Sequence, residues 1–127
     1  MHVRDAMTTQ VLTIGPAHTL RQAAQHMAAR RVGAAVVMDA EADGPGILTE
    51  RDVLDVVAAG QDPDVELVAD HLTPDAVLAT PDWPLVDAAT AMLAGGFRHL
   101  IVCDEDKVVG VLSVRDLLRV WSAVRTG

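Results

Sequence analysis

Aromatic side chains are scarce in this chain. Trp83, Phe97 and Trp121 are its only ones among 127 residues, and tyrosine is absent. A core must therefore be built from Val, Leu, Ile, Ala and Met, a composition suited to tight packing of helices on sheets. Cys103 is the single cysteine, so no intrachain disulfide can form and a secreted, disulfide-stapled scaffold is excluded. It lies in the apolar run HLIVCD, which reads as a buried, inert thiol. Long apolar stretches are missing too: none approaches the ~18 residues of a membrane span. The opening MHVRDAMTTQ lacks the apolar core of a signal peptide, and the expected location is the cytoplasm. Basic residues are outnumbered, ten against eighteen acids, for a net charge of -8. That balance opposes affinity for nucleic acid and for anionic membrane, so neither is an expected partner.

Catalytic and metal signatures are equally thin. The five histidines, His2, His18, His26, His71 and His99, show no HxH, HExxH or Cys/His spacing, and no metal site is expected. No Gly-x-Ser-x-Gly elbow, P-loop or GxGxxG run is present. No Ser, Thr or Cys lies with a His in an arrangement that suggests an activated nucleophile.

What the sequence does contain is a repeat. GILTERD at residues 46–52 returns as GVLSVRD at 110–116. With a shift of 65, residues 3–39 lie over 68–104: Asp5 on Asp70, Thr8 on Thr73, Pro16 on Pro81, Leu20 on Leu85, Met27 on Met92, Asp39 on Asp104. One extra residue in EADGP reduces the shift to 64 for the closing motif, a length change that a surface turn tolerates. Two copies of one unit follow, 1–62 and 63–127, with AAGQDPDVE as the crossing segment between them.

Each copy reads as strand, helix, strand, strand, helix, an α/β pattern with a short helical lead-in such as VRDAM. Apolar runs at 11–14 and 76–79 end near proline and read as strands. Leu20, Ala23, Ala24 and Met27, and again Leu85, Ala88, Ala89 and Met92, recur at helical spacing, giving each helix a small-residue apolar face. The runs 34–38 with 46–48, and 99–103 with 108–112, read as hairpins. A second helix begins after Thr49 or Ser113, either of which suits an N-cap. Trp121 continues the Leu117 and Leu118 face and serves either the core or a subunit contact.

The repeated motif sits at a strand-to-helix junction. Gly46 and Gly110 permit close approach of a ligand or of another stretch of backbone. The helix start supplies free N–H groups and a positive dipole end that favour an anion. Asp52 and Asp116 follow their hydroxyl residues by one turn, and a carboxylate there can accept both hydrogen bonds of a vicinal diol. The ensemble reads as a ribose-phosphate clasp. It reads equally as a capping box, which needs no ligand.

Taken together, the M-T-like lead-in, the A-A-x-x-M helix, the strand ending in Asp and the G-h-h-(T/S)-x-x-D close, in that order and twice over, resemble a pair of cystathionine-beta-synthase (CBS) domains, the Bateman module. The resemblance covers 3–123, and VAAGQDPD further resembles short stand-alone pairs of actinobacteria. It implies two tandem β-α-β-β-α units related by a pseudo-twofold axis, usually a homodimer. It also implies clefts for AMP, ADP, ATP, S-adenosylmethionine or NAD derivatives, as regulatory ligands and not required cofactors. Carried over residue by residue, one cleft takes Ser113 and Asp116 with Val11, Leu12, Val32 and Ala34. The other takes Thr49 and Asp52 with Val77, Leu78, Phe97 and His99. Arg98 and His99, where the first copy has Gly33 and Ala34, favour the Asp116 site for phosphate, with Arg31, Arg51 and Arg115 as assistants or as plain solvated ion-pairing residues. Val36 and Ile101 stand where many members have proline. The function implied is adenosyl-ligand sensing with output through a separate effector protein. The alternatives are a structural or interaction module with empty clefts and a metal-dependent enzyme.

Overall fold

A computed structural model describes residues 1–126, with side chains through residue 123. Its elements run β1 (Thr13–Ile14), α1 (Leu20–Arg30), β2 (Ala34–Val37), β3 (Gly46–Thr49), α2 (Glu50–Ala58), β4 (Leu78–Ala79), α3 (Leu85–Gly95), β5 (His99–Asp104), β6 (Lys107–Ser113) and α4 (Val114–Thr126). Single turns of 3-10 helix at Val3–Asp5 and Val68–Asp70 form the two lead-ins. Every expected element is present, in the expected α/β order, with the opening strands trimmed to two residues each.

The strands form two three-stranded sheets, β1-β2-β3 and β4-β5-β6. In each, the first strand runs parallel to the second and the second antiparallel to the third. The first and second strands are joined through a helix, as a parallel pair requires. The expected hairpins are the β2-β3 and β5-β6 pairs, the latter with an irregularity at Val102/Cys103. Val36 N–H donates to Leu12 O at 2.9 Å, a bond proline would forfeit.

Two compact units emerge, Met1–Val11 with Val77–Gly127, and Leu12–Ala76. They differ from the sequence copies 1–62 and 63–127, because each copy's lead-in packs with the strands of the other copy. Thr8 bridges Val111 in one unit and Thr73 bridges Ile47 in the other. The segment 58–66 therefore does not carry the chain between units. Leu20 N–H donates to Glu66 O at 3.0 Å, Arg21 N–H donates to Pro63 O at 3.0 Å, and the Arg21 guanidinium pairs with Asp64, all within the second unit. The chain changes units after Val11 and after Ala76.

Each unit has its own apolar core. In one, Val3 and Ala6 of the lead-in join Leu85, Ala88 and Met92 of α3, Leu100 and Val102 of β5, Leu112 of β6 and Leu117 of α4. In the other, Val68 joins Leu20, Ala23 and Met27 of α1, Val37 of β2, Leu48 of β3 and Val56 of α2. The predicted helical stripes are thus the buried ones, with Ala24 and Ala89 at their half-buried edges. Trp83 packs against the first core, whereas Trp121 stays 41 % exposed.

Candidate functional site

The motif glycines are explained by backbone. A Cβ on Gly110 would stand 3.0 Å from Thr8 O and 2.8 Å from Met7 Sδ, and one on Gly46 would meet Thr73 O at 3.0 Å and Leu72 Cδ1 at 2.8 Å. The lead-in of each unit crosses its motif strand at this point, so the close approach favours glycine whether or not a ligand binds.

Three residues on, each motif opens its helix with a carboxylate folded back on the N-cap. Ser113 N–H donates to Asp116 Oδ2 at 2.9 Å and Asp116 N–H donates to Ser113 Oγ at 3.1 Å, a reciprocal capping box. In the other unit, Thr49 N–H donates to Asp52 Oδ2 at 2.7 Å, and the Thr49 hydroxyl donates to the same oxygen at 3.2 Å. Both carboxylates therefore cap, as the ligand-free reading expects. A carboxylate has about four lone-pair positions, so capping leaves acceptor capacity for a diol.

The copies differ in what surrounds that capacity. Asp116 is 5 % exposed, the one buried charged side chain among the described residues. Its Oδ1 faces Arg119 Nη1 at 3.3 Å and the Thr8 hydroxyl at 3.5 Å. Asp52 is half-buried, and among the described residues no hydrogen bond or ion pair reaches its Oδ1. Where the second copy has Arg119 the first has Asp55, which takes Arg51 at 3.3 Å.

The neighbouring strand starts carry the charge difference. His99 is the register partner of Ser113 and Ala34 that of Thr49. Val114 N–H donates to Arg98 O at 3.0 Å, and Glu50 N–H donates to Gly33 O at 2.9 Å. Arg98 and His99 thus adjoin the Ser113–Asp116 clasp, Arg98 exposed and His99 half-buried. Beside Thr49–Asp52 the Glu50 carboxylate lies over Gly33, 3.1 Å from where a Cβ would be. Basic residues thus adjoin the helix start at Ser113, and an additional carboxylate adjoins the one at Thr49.

The remaining sequence-derived residues divide between units. Val11, Val77, Leu78, Phe97 and Arg115 belong with Ser113 and Asp116, and Leu12, Val32, Ala34 and Arg51 belong with Thr49 and Asp52. Val77 and Leu78 are 48 % and 42 % exposed, Leu12 and Ala34 are buried, Phe97 is half-buried against its core, and Arg115 is exposed. Arg119, Thr8 and Ala6 escaped the sequence reading. Arg119 lies one helical turn past Asp116, a visible signal; nothing in the sequence tied the lead-in to this motif rather than to its own.

Other chemistry is sparse among the described residues. No group of three or more His, Cys, Asp or Glu is placed to hold a metal ion. Burial pushes the Cys103 thiol pKa above its usual 9.0, and the Asp106 carboxylate adds to the rise. No helix is long and apolar enough to cross a membrane.

The CBS domain model matches residues 3–59 and 68–123. An uncharacterized 17.7 kDa protein of Acidianus ambivalens is 36 % identical over 126 residues, covering 98 % of this chain and 75 % of that protein. The Arabidopsis thaliana CBS domain-containing protein CBSCBSPB3 is 35 % identical over 117 residues, but this chain spans only 21 % of its length. Among solved structures, CBS domain protein PAE2072 from Pyrobaculum aerophilum, complexed with AMP, superposes with a TM-score of 0.85 at 26 % identity over the whole of both chains. With two matched domains spanning most of its length, on an architecture shared with solved pairs, this chain belongs to the CBS-domain family as a tandem pair.

Proposed function

We propose that this chain is a regulatory module that binds an adenosyl ligand, of the AMP, ADP, ATP, S-adenosylmethionine or NAD class, and works as a metabolite sensor and not as an enzyme. The observation that carries this reading is the doubled hydroxyl-carboxylate clasp at two helix starts, with Asp52 and Asp116 each retaining an acceptor oxygen beyond its cap. The AMP bound to PAE2072, a structural relative, supports the ligand class. Arg98, beside Ser113, supports phosphate at the second clasp, while Glu50 opposes it at the first. The remaining residues of the two sets, Val11, Leu12, Val32 and Ala34 for Asp116, and Val77, Leu78, Phe97 and His99 for Asp52, rest on the family resemblance.

The proposal includes a cytoplasmic homodimer that signals to a separate effector. Exposed apolar pairs one turn apart on the motif helices support association: Leu54 and Val57 on α2, Leu118 and Trp121 on α4. The similarity to stand-alone actinobacterial pairs belongs to the same proposal.

A thermal-shift panel of these ligands on wild type, Asp52→Asn and Asp116→Asn tests the reading. Asparagine retains an oxygen for the N-cap N–H but replaces the second diol acceptor with a donor. Saturating ligand is expected to stabilise wild type, by about 2.7 kcal/mol at 100 Kd, and one variant or both less. A second reading, a purely structural module, draws on the finding that both carboxylates already cap; it predicts no shift with any ligand.

A further inference from the structure

Asp116 does more than cap α4. Its Oδ1 meets Arg119 Nη1 at 3.3 Å, and the second terminal nitrogen of that guanidinium, Nη2, donates to Ala6 O at 3.0 Å. The Thr8 hydroxyl reaches the same Oδ1 across a long 3.5 Å. Ala6 and Thr8 belong to the segment Met1–Val11, which is also held by paired backbone bonds between Thr8 and Val111, at 2.9 and 3.0 Å, by Val3 N–H donating to Trp83 O at 2.9 Å, Arg4 N–H donating to Pro81 O at 3.1 Å and Leu85 N–H donating to Met1 O at 2.9 Å, by the Arg4–Asp82 ion pair and by burial of Val3 and Ala6. One buried carboxylate thus anchors a helix start, an arginine and, through that arginine, the N-terminal segment. The other motif has no such arrangement. Asp55 stands in place of Arg119, and His71, in place of Ala6, pairs with Glu66 at 2.8 Å.

We infer that docking of Met1–Val11 and occupation of the Asp116 clasp compete for one carboxylate oxygen, so that ligand at this clasp loosens the segment while the Asp52 clasp lacks this coupling. The inference rests on the ligand reading above. A ribose diol bound to both carboxylate oxygens takes one hydrogen bond on Oδ1, and on Asp116 that oxygen already faces Arg119 and Thr8. The long Thr8 contact is the first to yield. Sharing Oδ1 then draws Arg119 off Ala6, removing a charge-assisted bond from the segment. By linkage, a docked segment weakens ligand binding by the same factor as ligand weakens docking.

Amide hydrogen exchange at Met7, Thr8 and Val111, together with calorimetric AMP titration, tests this on the full chain. Without ligand, Asp116→Asn and Arg119→Met are expected to speed exchange at these amides, and Asp52→Asn to leave it unchanged. Saturating AMP is expected to speed Thr8 exchange in wild type. Arg119→Met, which keeps the stem and removes the competitor, is expected to tighten AMP binding about fivefold or more. Thr8→Val is expected to tighten it less. Weaker AMP binding in Arg119→Met, the behaviour of a phosphate-contacting arginine, overturns the inference, as does protection of Thr8 by AMP. AMP binding with Thr8 exchange unchanged defeats the coupling alone; failure of AMP to bind any variant defeats the ligand reading and the coupling with it.

Discussion

A methyl group added at Gly110 would press on Thr8 O and Met7 Sδ, and one at Gly46 on Thr73 O and Leu72 Cδ1. Overpacking of this kind costs about 1–3 kcal/mol. Urea denaturation of Gly110→Ala and Gly46→Ala is expected to show that loss, whereas Gly44→Ala, with nothing within 4 Å of the new methyl, is expected to unfold at the wild-type midpoint. The motif sequence announced a close approach at these glycines; only the fold identifies the approaching atoms as the lead-in backbone. Cys103 offers a second check at this scale. Because burial, aided by Asp106, raises its folded pKa above the unfolded value, the thiol is neutral in both states at neutral pH. As pH climbs past the usual 9.0, the unfolded chain ionises first, so stability falls on the way up to the folded value. Alkylation of the native protein at neutral pH is expected to be much slower than in urea, and Cys103→Ala to flatten the alkaline slope.

Elements show why so much of the secondary structure was readable in advance. Leu20, Ala23 and Met27, and their counterparts on α3, are spaced to face a core, and they do. Hairpin pairing followed from apolar runs broken by acidic turns. Starts of the helices are less uniform than their sequences suggest. Thr19 caps α1 through a reciprocal box, Gln22 N–H donating to its hydroxyl oxygen at 3.1 Å and Thr19 N–H donating to Gln22 Oε1 at 3.0 Å. α3 follows Pro84 without a side-chain cap, and its start keeps only the distant-backbone bond that α1 also has: Leu85 N–H donates to Met1 O at 2.9 Å, as Leu20 N–H does to Glu66 O at 3.0 Å. Thr19→Ala is expected to cost about 1 kcal/mol in chemical denaturation. Such a supply of a cap by distant backbone cannot be read from local sequence, because it depends on where the lead-in docks.

At the scale of the molecule, the repeat was legible and its packing was not. Sequence similarity divides the chain at 62/63, whereas the compact units draw Met1–Val11 together with Val77–Gly127 and leave Leu12–Ala76 as the other. Periodicity reports which residues are apolar, not whose core they enter, and the fully buried Val3 and Val68 enter the core of the opposite copy's strands. A fragment of residues 12–76 is therefore expected to unfold more cooperatively, by circular dichroism in urea, than a fragment of 1–62, which lacks Val68 and Leu72. The candidate clasps were visible as a doubled motif. Arg98 and His99, against Gly33 and Ala34, already marked the two as unequal in sequence, but the further differences, Arg119 and Thr8 on Asp116 and Glu50 over Gly33, depend on the fold. The proposed function requires that the two carboxylates hold a ribose in addition to capping their helices. Calorimetric titration of AMP into wild type and into the double variant Asp52→Asn/Asp116→Asn tests it most directly. Saturable binding to wild type is expected, and none to a double variant that still unfolds cooperatively; equal AMP affinity in the two proteins would rule out a ribose role for Asp52 and Asp116.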